Sequence, residues 1–229
     1  MSVETHVVAA RTHGRYLVRR PADEPRGILV GFHGYMEDAA RHLEALGTIP
    51  ANGWVLAAVD ALHAFYARSS GSGKVVRGWM TRDLREEAIE DNVRYVRGVL
   101  DAVRSRFGWR LPLAVAGFSQ GASMAWRAAL LAGHETAAVL ALAGDVPPEL
   151  AGLPEASPFP RRALLGRGAG DDWYTDAKLE ADRKMLEERG VEVRPLRFEG
   201  GHEWTDAYRA AAADLLTALA APAATAQGD

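Results

Sequence analysis

Leu113-Ala114-Val115-Ala116-Gly117-Phe118-Ser119-Gln120-Gly121-Ala122-Ser123-Met124-Ala125 reads as a buried apolar strand, a Gly-x-Ser-x-Gly turn and a helix in direct succession. A serine held on such a sharp strand-to-helix turn stands exposed at the top of an α/β sheet. Gly117 and Gly121 lack Cβ atoms, so strand and helix can close tightly around Ser119. The backbone N–H of Gln120 lies at the start of the helix, where developing negative charge is stabilised.

Working outward, apolar runs alternate with amphipathic ones. Gly27 to Phe32, Trp54 to Val59, Leu111 to Phe118, Ala137 to Ala143, Ala163 to Gly166 and Val191 to Phe198 read as strands. Val3 to Ala10 and Arg15 to Arg20 read as two further short strands around Gly14. Helices are expected from about Asp38 to Leu46, from Asp83 to Gly108, from Gln120 to Leu131, from Thr175 to Arg189 and from Glu203 to about Ala220. Asp83 and Glu86 fit a capping box, and Leu84, Ala88, Ile89, Val93 and Val96 keep helical spacing behind it. Asp60 to Thr81 reads as a long irregular loop with Ser69-Ser70-Gly71-Ser72-Gly73 at its tip. Strands alternating with helices mean a mainly parallel central sheet with helices on both faces. Residues 1–220 read as one α/β domain and residues 221–229 as a disordered tail.

Composition narrows the function classes. The chain has 229 residues, 48% of them hydrophobic, enough for a sizeable core. A net charge of −3 with dispersed signs argues against a nucleic-acid footprint. There is no cysteine, which excludes disulfides, thiolate metal sites and cysteine nucleophiles. No apolar leader and no membrane span stand out, so a cytoplasmic protein is the expectation. Gly71-Ser72-Gly73-Lys74 fails as a phosphate loop, because Arg68 and Val75 stand at two required positions. His202-Glu203 fails as a zinc motif, because Asp206 stands where the second histidine belongs. No cofactor or metal is expected, and edge hydrophobics leave a homodimer open.

In such a sheet the loops at the carboxyl ends of the strands carry the chemistry. A serine hydroxyl needs an adjacent base, and His202, flanked by Gly200 and Gly201 after a strand, is the candidate. The base in turn needs a carboxylate to orient it. Asp171 and Asp172 compete, with Asp145 a third choice, and Asp171 is favoured for its place on the loop leaving a strand. An oxyanion would be held by the N–H of Gln120 and by one from His33-Gly34-Tyr35-Met36, for which Tyr35 is chosen by position. His33 itself reads as structural. Trp79, Met80 and Trp173 either line a substrate pocket or pack in the core, and His63, Phe65 and Tyr66 either border the site or stand apart from it.

Phe32-His33-Gly34-Tyr35, Gly117-Phe118-Ser119-Gln120-Gly121, Gly168-x-x-Asp171 and Gly201-His202 together resemble the phospholipase/carboxylesterase family of the α/β-hydrolase fold. That family includes bacterial carboxylesterases and acyl-protein thioesterases. The resemblance runs from about Gly27 to Ala220. It implies a cofactor-free hydrolase of small-molecule esters, with Ser119, Asp171 and His202 as its triad and little or no lid domain. Two positions depart from the family pattern: Met36 stands where a glycine is common, and Arg167 where a histidine is common. An acyl-protein or acyl-CoA thioesterase is the alternative within hydrolases, and a non-catalytic binding protein of the same fold is the alternative outside them.

Overall fold

Six parallel strands and one antiparallel edge strand form the central sheet, in a computed structural model that describes residues 2–68 and 73–220. In chain order these are β1 (Tyr16–Arg19), β2 (Gly27–Phe32), β3 (Trp54–Val59), β6 (Leu113–Phe118), β7 (Ala138–Leu142), β8 (Arg162–Gly168) and β9 (Glu192–Phe198). Their spatial order is β1-β3-β2-β6-β7-β8-β9, with β1 antiparallel to β3. The helices are α1 (Ala39–Gly47), α2 (Arg85–Phe107), α3 (Gln120–Leu131), α4 (Asp176–Glu188) and α5 (Asp206–Leu219). This is the mainly parallel sheet clothed on both faces that the strand and helix pattern implies.

β2, β3, β6 and β7 are buried along their whole length because both faces are covered. Side chains alternate between two cores, as a period of two requires. Ile28, Val30 and Phe32 face the core beneath α2, α3 and α4, while Leu29 faces the one beneath α1 and α5. β9 is an edge strand, which accommodates Pro195 without losing a ladder bond on its open side.

The chain leaves β2 toward β3 on one side and later returns to place β6 on the other. The crevice outside the carboxyl ends of β2 and β6 is therefore the switch point where such sheets bind ligands. Phe32 pairs in register with Gly117, so the loop after β2 and the turn after β6 emerge side by side.

Four expectations are corrected. Val3 to Ala10 forms no strand; Val3 and Val8 are 93% and 85% exposed, and with no surface to bury against the segment gains nothing from pairing. The Asp60 to Thr81 segment is not wholly irregular: β4 (His63–Tyr66) and β5 (Val75–Gly78) form an antiparallel hairpin. Its expected tip falls largely at residues 69–72, outside the described residues, as does the expected tail at 221–229. The Asp83 capping box does not form. The hydroxyl of Thr81 takes the Asp83 N–H at 3.2 Å, and α2 starts after Leu84, which is half exposed with φ of 47°. Lastly, α5 begins at Asp206 rather than Glu203, capped by Thr205. Glu203 instead turns back to accept the Gly201 N–H at 3.0 Å, which tightens the loop carrying His202.

Candidate active site

Ser119 has φ of 55° and ψ of −122°, a left-handed conformation that costs a non-glycine residue energy and is retained where the surroundings enforce it. The enforcement is visible. A Cβ on Gly117 would lie 2.1 Å from the Gly121 carbonyl oxygen, and one on Gly121 would lie 2.0 Å from that of Phe32. Only glycines let β6, α3 and β2 approach so closely. The Ser119 N–H is spent on the Leu142 carbonyl at 2.9 Å. Gln120 opens α3, so its N–H has no acceptor within the helix and points out of its positive end.

Asp171 and His202 are brought together across 31 residues. His202 Nδ1 donates to Asp171 Oδ2 at 2.9 Å. The other oxygen, Oδ1, accepts the N–H groups of Trp173 at 2.8 Å and Tyr174 at 3.0 Å. A carboxylate satisfied in this way on a 2% exposed aspartate is fixed in orientation. The proton on Nδ1 leaves Nε2 as the free, basic nitrogen of the ring. The two loops meet at their glycines: the Gly170 N–H donates to the Gly200 carbonyl at 2.8 Å, and a Cβ on Gly168 would lie 2.2 Å from the Gly201 oxygen. Arg167 ties the same loop down, its Nε donating to the Tyr174 carbonyl at 2.8 Å. The competing aspartates lie elsewhere: Asp172 is exposed and Asp145 pairs with Lys178 at 2.9 Å.

The imidazole of His202 packs on Phe118, with ring centroids 5.0 Å apart, which sets it beside the Ser119 turn. Among the described residues no hydrogen bond joins Ser119 to His202.

The loop after β2 carries the third part of the site. His33 is fully buried: its Nδ1 donates to the Gly34 carbonyl at 2.7 Å and its Nε2 accepts the Ala61 N–H at 3.1 Å. Burial holds its pKa below the ordinary value, so it stays neutral and braces the loop. Gly34 N–H donates to Glu37 Oε2 at 2.9 Å, and Met36 N–H to the Arg77 carbonyl at 2.9 Å. The N–H of Tyr35, between them, is engaged by nothing among the described residues. Met36 sits at φ of 62°, the conformation for which glycine is the usual choice.

A groove of about 370 Å³ opens beside Ser119, bordered by Tyr35, Gln120, Ser123, Arg127, Pro147 and Trp173. Tyr35 and Trp173 are 51% and 72% exposed on its rim. Trp79 is fully buried under the loop rather than on the groove wall, its Nε1 donating to the His33 carbonyl at 2.8 Å. Met80 is not among the groove's lining residues either; its Sδ lies 3.7 Å from Arg127. Of the hairpin residues, Phe65 reaches the rim by stacking on Tyr35 at 5.6 Å. A larger cavity, about 1090 Å³, opens at the opposite, amino end of β6, β8 and β9 and touches none of these residues.

Sequence reasoning missed two features. The Gln120 side chain clamps the Trp79-Met80 segment, accepting the Trp79 N–H at 2.8 Å and donating to the Met80 carbonyl at 2.9 Å. Arg127, in the apolar helix α3, is 1% exposed and pairs with Glu149. Among the described residues no cluster of three His, Asp or Glu side chains is arranged to hold a metal, and no helix is long and apolar enough to cross a membrane.

Sheet order, the turn at Ser119 and the absence of a lid among the described residues define the α/β-hydrolase fold. Solved structures with that fold match nearly end to end. The crystal structure of esterase PE8 is similar over 90% of this chain and 98% of its own, with a TM-score of 0.72 and 24% identity. Acyl-protein thioesterase 2 of Zea mays matches over 90% and 99%, with a TM-score of 0.65 and 20% identity. The Bacillus cereus carboxylesterase matches over 90% and 94%, with a TM-score of 0.69 and 14% identity. No protein-family model matches the chain, and no curated protein matches it in sequence.

Proposed function

We propose that the chain is a serine hydrolase of carboxylic esters, with Ser119 as nucleophile, His202 as general base and acid, and Asp171 as the group that orients His202. Nε2 of His202 takes the Ser119 hydroxyl proton as Oγ attacks the ester carbonyl carbon. The tetrahedral oxyanion is held by the N–H groups of Gln120 and Tyr35. His202 returns the proton to the departing alcohol, leaving an acyl-serine. Water, deprotonated by His202, then attacks that acyl group and releases the acid. The observation that carries the reading is the Asp171–His202 pair at 2.9 Å, on loops that meet the strained Ser119 turn through Phe118. The esterase and thioesterase neighbours support it at the level of fold.

A groove of about 370 Å³ with arginine, serine and glutamine on its walls suits short, polar esters better than the long acyl chains of a thioesterase. The test is hydrolysis of p-nitrophenyl esters from acetate to palmitate, with Ser119→Ala and His202→Ala beside the wild type. Each substitution is expected to lower kcat by about 10⁴-fold or more, given how such groups act as a unit. An optimum at acetate or butyrate supports the short-ester reading; an optimum at palmitate favours the thioesterase. No turnover, together with no labelling of Ser119 by a fluorophosphonate, would leave a binding protein of this fold.

A further inference from the structure

Ser119, Ser123 and Arg127 recur at every fourth position from the start of α3, and all three border the groove. At 1.5 Å per residue the stripe runs about 12 Å from nucleophile to arginine, and long helical side chains lean back toward the N-terminus. The guanidinium thus lies within reach of a substrate whose ester group sits at Ser119.

Arg127 is charged, buried and incompletely matched. Its Nε and one terminal nitrogen both bond the same oxygen of Glu149, at 2.8 and 2.5 Å. Its other terminal nitrogen has, among the described residues, only the thioether of Met80 at 3.7 Å, and sulfur is a weak acceptor. A buried guanidinium donor without an oxygen partner is costly, and a ligand oxygen would relieve it. Arg85 stands on the same wall, one of its nitrogens 3.6 Å from the second oxygen of Glu149. The two groove arginines thus share the carboxylate of Glu149, which does not itself line the groove. Glu86, which also pairs with Arg85, lies out in solvent at 78% exposure. Asp145, the one acid among the residues that line the groove, is matched by Lys178. Burial depresses the pKa of Arg127, an effect that Glu149 partly offsets and an added anion would offset further.

We propose that the groove selects esters bearing a second, ionised acid group, a carboxylate a few bonds from the ester, bound by Arg127 and Arg85 with Glu149 as the built-in counter-charge. This rests on the ester-hydrolase reading above and names its substrate class. The planar guanidinium fork matches a carboxylate, and the Arg127 nitrogen without an oxygen partner is the donor left for it.

Two substrate pairs test it on the full chain and distinguish the side of the ester that bears the acid. Monomethyl glutarate against methyl 4-carbamoylbutanoate places it on the acyl side; 3-acetoxypropanoate against 3-acetoxypropanamide places it on the alcohol side. In at least one pair the acid is expected to exceed the amide by about tenfold or more in kcat/KM, through KM, the scale of one charged hydrogen bond. Arg127→Gln and Arg85→Gln should bring that ratio toward one. Glu149→Gln should raise it, which loss of a merely structural pair would not do, and this variant and Arg85→Gln carry the test if Arg127→Gln does not fold. Ratios at or below one in both pairs, with Ser119-dependent turnover of p-nitrophenyl acetate, overturn this inference and leave the esterase reading standing. If no ester is turned over, the esterase reading falls and calorimetry with glutarate decides: binding by wild type that Arg85→Gln weakens supports the anion site, and no binding overturns it.

Discussion

Met36 stands at φ of 62° in the loop that presents the Tyr35 N–H, at the position where the family that the sequence resembles commonly has glycine. The conformation explains the preference: an L residue there costs about 1–2 kcal/mol that glycine does not incur. Part of that gain is returned through the more flexible unfolded chain, about 0.4–1 kcal/mol. Met36→Gly is therefore expected to stabilise the fold by about 0.5–1 kcal/mol in urea denaturation, while β-branched Met36→Ile should destabilise it. Equal midpoints for both variants would show the loop relaxes without strain. Asp171 carries a sharper expectation. Asp171→Asn keeps the shape but offers an amide N–H to Nδ1, which moves the imidazole proton to Nε2 and removes the free base. By the behaviour of other triads kcat should fall about 10⁴-fold with KM little changed. A loss under tenfold would make Asp171 a loop anchor rather than the orienting carboxylate.

The elements around the elbow depend on backbone approaching backbone. Cβ atoms at Gly117 and Gly121 would meet carbonyl oxygens at 2.1 and 2.0 Å, and neither oxygen can rotate away. Gly121→Ala is expected to push α3 from β2 and lower stability by several kcal/mol, read as a fall in the thermal midpoint or a loss of soluble protein. A gentler break is Gln120→Glu, which keeps an acceptor for the Trp79 N–H but sets a carboxylate oxygen against the Met80 carbonyl. It should loosen the Trp79-Met80 segment, seen as faster amide exchange there while α3 stays protected. Unchanged exchange would mean the segment is held by the buried Trp79 ring alone.

Across the molecule, stability responds to pH through buried histidines, of which His42 carries the largest shift. His42, on α1 in the layer shared with α5, has no hydrogen-bond partner for either ring nitrogen among the described residues and packs edge-on to Trp204. Burial pushes its pKa down to about 3. The unfolded chain binds that proton near pH 6.5, and the native chain does not until about pH 3. Stability is therefore complete above pH 6.5 and declines as pH falls through that window. Between pH 7 and 5 this group alone should account for about 2 kcal/mol, at 1.36 kcal/mol per unit. His42→Leu, which cannot titrate, should lose that share of the acid sensitivity in denaturation curves at the two pH values. Equal slopes for wild type and variant would show that the ring gains a proton or a water partner within the fold.

The strands β2, β3 and β6 were legible residue by residue, because burial on both faces demands uninterrupted apolar runs and leaves a signal that needs no partner to be read. Ser119, Asp171 and His202 were legible as positions on loops leaving strands, since topology alone sends those loops to one end of the sheet. Val3 to Ala10 and the β4–β5 hairpin were misread because a short exposed strand exists only where a neighbour pairs with it, and local composition is silent on neighbours. The choice of Asp171 over Asp172, one residue apart, depended on which carboxyl turns inward to meet a ring 31 residues away. The Gln120 clamp spans 41 residues and the Arg127–Glu149 pair 22. Local chemistry and periodicity determined the elements and their order, whereas contacts between residues far apart in sequence, whose worth depends on burial and direction, were decided only when the chain closed on itself.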